Sequence, residues 1–111
     1  MLYAAENLSL ACLEVLVHLD KSELPREYVW SSAELSETPP LLESQSSGSL
    51  KECRKIGQGW ADKAEALATL VRSVVISHEL NVLLNPKHPE FAKLQWNAAQ
   101  AFRFDLRLFT L

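Results

Sequence analysis

A single carboxylate, Glu14, stands in the otherwise apolar run NLSLACLEVLVHL, residues 7–19, with no Lys, Arg or second acid beside it. A carboxylate buried without a partner is costly, or it takes up a proton instead. Glu14 is therefore expected to face a cleft, to pair with a cation or to sit at an exposed edge. The plainer alternative is one solvent-facing position on a helix, where acidic side chains usually lie. Tyr3 precedes Glu14 by eleven positions. Where a strand turns into a helix at a corner, both side chains reach one pocket; taken alone, Tyr3 reads as a core aromatic with its hydroxyl at the surface. Ser73 sits inside the β-branched run LVRSVVI. Its hydroxyl suits a ribose or phosphate oxygen of a ligand, although such a Ser more often bonds its own backbone.

Other chemistries are not indicated. No GxSxG elbow surrounds Ser73, so hydrolysis by a serine nucleophile is not expected. His18, His78 and His88 show no HExxH or Cys/His spacing, and no metal site is expected. His18 falls in the last turn of its helix, where the dipole favours a cation. The chain has three glycines and neither GxGxxG nor a Walker loop, which excludes a phosphate-cradling glycine loop.

The elements that must position these residues follow from pattern. Residues 1–5 are apolar and read as a strand. Asn7 can cap a helix over residues 8–19, whose apolar residues cover nearly every side and predict burial nearly all round. Residues 20–25 read as a polar turn ended by Pro25. Residues 27–35, with Tyr28, Val29 and Trp30, read as a strand. Residues 36–49 are rich in Pro, Ser and Gly and read as a loop. Residues 50–66 read as a helix weakened by Gly57 and Gly59. Residues 67–76 read as a strand with an irregularity at Arg72–Ser73, and residues 82–84 as another stopped by Asn85–Pro86. A turn or short helix begins at residues 88–91. AFRFDL, residues 101–106, alternates as a half-buried strand does. The expected class is α+β: one domain over residues 1–111, with helices packed on a mixed sheet.

At 111 residues and 48% apolar content the chain suits one packed domain. Its net charge of −3 is scattered, so no basic stripe exists to hold nucleic acid. Cys12 and Cys53 show no CxxC spacing and fit a reduced, cytoplasmic protein. No apolar run reaches the roughly 18 residues of a membrane span, and the start MLYAAENL lacks the basic region of a signal peptide.

Three segments together resemble the RES-domain family, the NAD-degrading toxins of bacterial RES–Xre toxin–antitoxin systems. LYAAENLSLACLEVLVHLD, residues 2–20, is similar to a family strand ending in Tyr followed by a helix of the form A-L-x-E-V-L-V-H-L; Tyr3 and Glu14 take the matching positions. VRSVVISHELNVLLNPKHPEF, residues 71–91, is similar to V-P-S-x-V-V followed by E-x-N and L-N-P-x-H-P-x-F, matched by Ser73, Glu79, Asn81, Asn85, Pro86, His88 and Pro89. FRFDLRL, residues 102–108, resembles the family tail F-x-F-D-x-R-L.

The resemblance implies a partial ADP-ribosyltransferase-like core and an enzyme that cleaves the nicotinamide–ribose bond of NAD. The acceptor is then water, phosphate or a protein side chain. Glu14 and Tyr3 would be catalytic; Tyr3, Ser73 and Asn81 would bind NAD; no metal is called for. It also implies an Xre-type antitoxin protein as partner, with no direct nucleic-acid or membrane binding. Two departures stand out. The family has an arginine in a G-R-W-N-like segment ahead of the strand that ends in Tyr, and this chain begins at that strand, so the expectation is a RES domain lacking its amino-terminal part. Arg72 replaces the family proline before Ser73. From these follow weak NAD turnover, self-association of the uncovered sheet edge, and an alternative role as an inactive remnant that only binds an antitoxin.

Overall fold

The structure is a computed structural model and describes residues 1–19, 27–42 and 66–109. Strand β1, Leu2–Ala5, leads into helix α1, Leu8–Leu16. Asn7 caps the helix as its side chain requires: Oδ1 accepts from the Leu10 amide at 2.8 Å, satisfying one of the orphan donors of the first turn. Its Nδ2 donates to Glu79 Oε1 at 2.8 Å, which ties the helix start to the residue just before β4. The helix ends earlier than its apolar run predicts, and residues 17–18 form a turn. His18 therefore lies past the helix, not in its last turn.

Strand β2 is Tyr28–Trp30, β3 Ala68–Arg72, β4 Leu80–Leu84 and β5 Gln100–Phe102. They form a three-stranded sheet in the order β1-β4-β3 and a two-stranded ribbon β2-β5. Every named strand pair is antiparallel. An isolated parallel bridge, Leu41 to Leu70, lies on the outer side of β3. There the backbones of Pro40, Leu42 and Leu70 exchange bonds of 2.8 Å. The α+β class holds.

Register decides which side chains share a face. Directly opposed residues of antiparallel strands point to the same side. Tyr3, Leu83 and Thr69 form one row, and Ala5, Asn81 and Val71 the next. Thr69, Val71 and Leu83 are buried on this face and Ala68 and Leu84 on the other; the first is the inner face because α1, which contacts β1, bonds Asn81 on it through Glu14. Leu10 is the one buried residue of the helix; Val15 is exposed and Leu8 is partly so. The expectation of a helix buried nearly all round is thus corrected: among the described residues the sheet covers only one of its sides.

The run predicted as one strand over residues 67–76 breaks at Arg72, and residues 73–79 turn back into β4. Ser73 N donates to Glu79 O and Glu79 N to Ile76 O, at 2.9 and 3.0 Å, so the irregularity read at Arg72–Ser73 is the mouth of a hairpin. The strand predicted at residues 27–35 shortens to β2. The run at 101–106 pairs only through Phe102, after which Phe104 enters the core and a 3-10 helix, Leu106–Phe109, follows. Edge-to-face contacts join Phe104 to Tyr28, Phe102 and Phe109, with ring centres 5.4, 4.9 and 6.0 Å away. The turn expected at residues 88–91 is the 3-10 helix Pro89–Lys93, capped by His88. The expected turn at 20–25, the helix at 50–66 but for Ala66, most of the loop at 36–49, and Cys53 lie outside the described residues.

Candidate active site

The inner face of the sheet carries one polar side chain in the middle strand, Asn81, and α1 lies against that face. Four residues after buried Leu10 comes Glu14, so the two fall on one stripe of the helix. Glu14 Oε1 accepts from Asn81 Nδ2 at 2.8 Å and from Ser73 Oγ at 2.6 Å. The second distance is that of a hydroxyl donating to a carboxylate. Glu14 is half-buried and Ser73 is buried. Among the described residues, the lone acid of the apolar helix is thus neither a free surface charge nor half of an ion pair. Two neutral donors, which reach it from 59 and 67 positions away, compensate its desolvation.

Ser73 bonds its own backbone, the plainer of its two readings, and also reaches Glu14. Its hydroxyl donates to Glu14, and its oxygen accepts from the amides of Val75 and Ile76 at 3.1 and 2.9 Å. A hydroxyl has one proton and two lone pairs, so all of its capacity is in use. The same bonds that shape the hairpin turn therefore aim the Ser73 proton at the carboxylate.

Tyr3 lies on the same sheet face, in the row next to that of Asn81. It is 51% exposed, which corrects its reading as an ordinary core aromatic. Glu14, Ser73 and Asn81 are brought together; Tyr3 shares their face. Sequence reasoning gave Asn7 only a capping role; its amide, together with the Glu6 carboxylate that accepts from Leu80 N at 3.2 Å, also fixes the corner beside the site. The Asn following Glu6 was legible as a cap, but its cross-link to Glu79 was not.

Two grooves lie elsewhere. One of about 1010 Å³ runs between residues 34–40 and the 3-10 helix Pro89–Lys93, with Glu37, Lys93 and Trp96 on its walls. An apolar one of about 410 Å³ lies between Leu8, Cys12 and Leu16 of the helix side and Phe102, Phe104 and Leu108. Neither includes Glu14, and size does not mark the chemistry here: the carboxylate held by convergent donors is the better guide. Burial pushes the Cys12 thiol above its ordinary 9.0, away from the thiolate a nucleophile needs. Among the described residues no group of three or more His, Cys, Asp or Glu is placed to hold a metal ion, and no helix is long and apolar enough to cross a membrane.

Comparison with known proteins gives this cluster a context. Residues 1–107 match the RES domain. A protein of a Sphingobium strain named Prs ADP-ribosylating toxin is 30% identical over 97% of this chain and 74% of its own length. A protein named Toxin Res from Yersinia enterocolitica is 33% identical, covering 96% of this chain and 76% of its own length. Another of that name, from Pseudomonas putida, is 34% identical, covering 98% and 79%.

Proposed function

This chain belongs to the RES domain family, and from that premise we propose that it is a toxin that cleaves the nicotinamide–ribose bond of NAD with Glu14 as the reacting carboxylate. The observation that carries the reading is the grip on Glu14 Oε1 by Ser73 and Asn81, at 2.6 and 2.8 Å, on a face also occupied by Tyr3.

The chemistry asks for little else. In NAD the leaving nicotinamide is already a pyridinium, so the bond between its nitrogen and the ribose C1′ breaks with the electron pair going to nitrogen, and no proton is needed on the leaving group. Positive charge develops on C1′ and the ring oxygen. A fixed carboxylate beside that centre lowers the barrier because it is more favourable in the transition state than in the ground state. Tyr3, on the same face, would meet the nicotinamide side. The relative named as an ADP-ribosylating toxin favours a protein side chain as acceptor, beside water or phosphate. An Xre-type antitoxin is the partner this reading implies, and the cytoplasm, where NAD is abundant, its place of action.

Nicotinamide release from NAD by the purified chain, compared with Glu14→Gln, tests the reading. Loss of the charge should slow release by about 10²–10³-fold, the scale of removing one preorganised stabilising group. Absence of any Glu14-dependent release would overturn the enzymatic reading and leave antitoxin binding as the chain's activity.

A further inference from the structure

Asn81 is out of keeping with its neighbours. It sits in the middle strand between Ala5 and Val71, on the face that carries buried Leu83 and Thr69. A primary amide there offers two donors and an acceptor oxygen. Nδ2 meets Glu14 Oε1 at 2.8 Å, whereas Oδ1 is buried with no hydrogen-bond partner among the described residues. A half-satisfied amide is a poor choice for packing, and a β-branched residue of similar size would suit the strand better. What an amide supplies and Val does not is a neutral donor to a carboxylate.

The Ser73 hydroxyl, saturated by the turn amides, is the other neutral donor, and both act on the same oxygen. Glu14 Oε2 accepts no hydrogen bond among the described residues. A carboxylate gripped at one oxygen cannot swing, yet its second oxygen keeps its lone pairs.

We propose that Asn81 is a positioning residue: it does not touch the ligand, but locks the Glu14 side chain so that Oε2 is the oxygen turned to the electron-poor ribosyl centre. This rests on the reading of Glu14 as the reacting carboxylate, and it differs from the NAD contact that the family resemblance implies for Asn81.

The test has one arm without substrate and one with it. In side-chain amide NMR of the purified chain, an Asn81 Nδ2 proton should resonate downfield through its bond to the carboxylate, and Glu14→Ala should move it back. An Asn81 signal indifferent to Glu14→Ala would end the proposal whatever the activity. In the second arm Asn81→Asp, isosteric but without the donor, and Asn81→Val are assayed for nicotinamide release. Misaiming the carboxylate should lower kcat by about 10²-fold with KM within about threefold. A KM raised by about tenfold or more with kcat retained would make Asn81 a ligand contact and overturn the proposal. A parent chain that releases no nicotinamide would instead remove the reading beneath it, and that result is visible before any substitution is made.

Discussion

Replacing Ser73 by Ala removes two things at once. The Glu14 carboxylate loses its shortest hydrogen bond, and the Val75 and Ile76 amides lose their acceptor. The expected cost is about 1–3 kcal/mol of stability, because polar groups shaped to one another are left without partners. Nicotinamide release should fall by about tenfold or more, as general experience with misplaced reacting groups suggests. Ser73→Thr keeps the hydroxyl and should recover part of both. Urea unfolding and the release assay read the two effects separately. Retained stability together with lost release would show that the turn does not depend on the hydroxyl, contrary to the geometry. Residue type and isolation were enough to single out Glu14 and Ser73 in the sequence; their 2.6 Å contact was not legible, since it depends on a register that only the folded sheet defines.

At the scale of elements, local signals read well where a side chain bonds its own neighbourhood. The Asn7 cap, the strand before it and the His88 turn all appear where such chemistry puts them. Pattern misled where burial depends on distant chain: the apolar helix is covered on one side only, and the β-branched run at residues 67–76 folds into a hairpin mouth because the Ser73 oxygen gathers two amides. The tail shows the local kind again. Asp105 accepts from the backbone amide of Arg107 at 2.9 Å and from its guanidinium at 2.8 Å, starting the last 3-10 helix. Those Arg107 bonds hold the Asp105 carboxyl below its ordinary 3.8. A carboxyl lowered in the fold adds stability above the unfolded value and loses it as pH falls through the folded one. The Arg107 amide should therefore stay protected at neutral pH and lose protection only below about pH 3.8, followed by amide NMR across an acid titration. Loss beginning above pH 5 would contradict the pairing.

For the molecule as a whole, the sheet has unequal edges. The outer side of β3 is covered through Pro40 and Leu42, whereas β1 has no neighbour beyond it among the described residues. β1 reads LYAA, without charge, Pro or bulge, and Leu2 and Tyr3 are exposed. Unblocked edges pair with other chains. Self-association in light scattering is expected, and Leu2→Lys, which places a charge on that edge, should shift the population toward monomer. A monodisperse parent chain at high concentration would show that the edge is already protected.

The carboxylate and its two donors also impose an order in time. Synthesis delivers Glu14 first, and the groups that aim it lie 59 and 67 positions later in the chain. Such distant pairings form only after a large loop has closed, which makes them late events in folding. A ribosome-bound chain carrying β1 and α1 thus holds the Glu14 carboxylate but not its alignment. On the proposed reading, the carboxylate is aligned only once β4 has emerged and paired, so that arming would coincide with completion of the sheet.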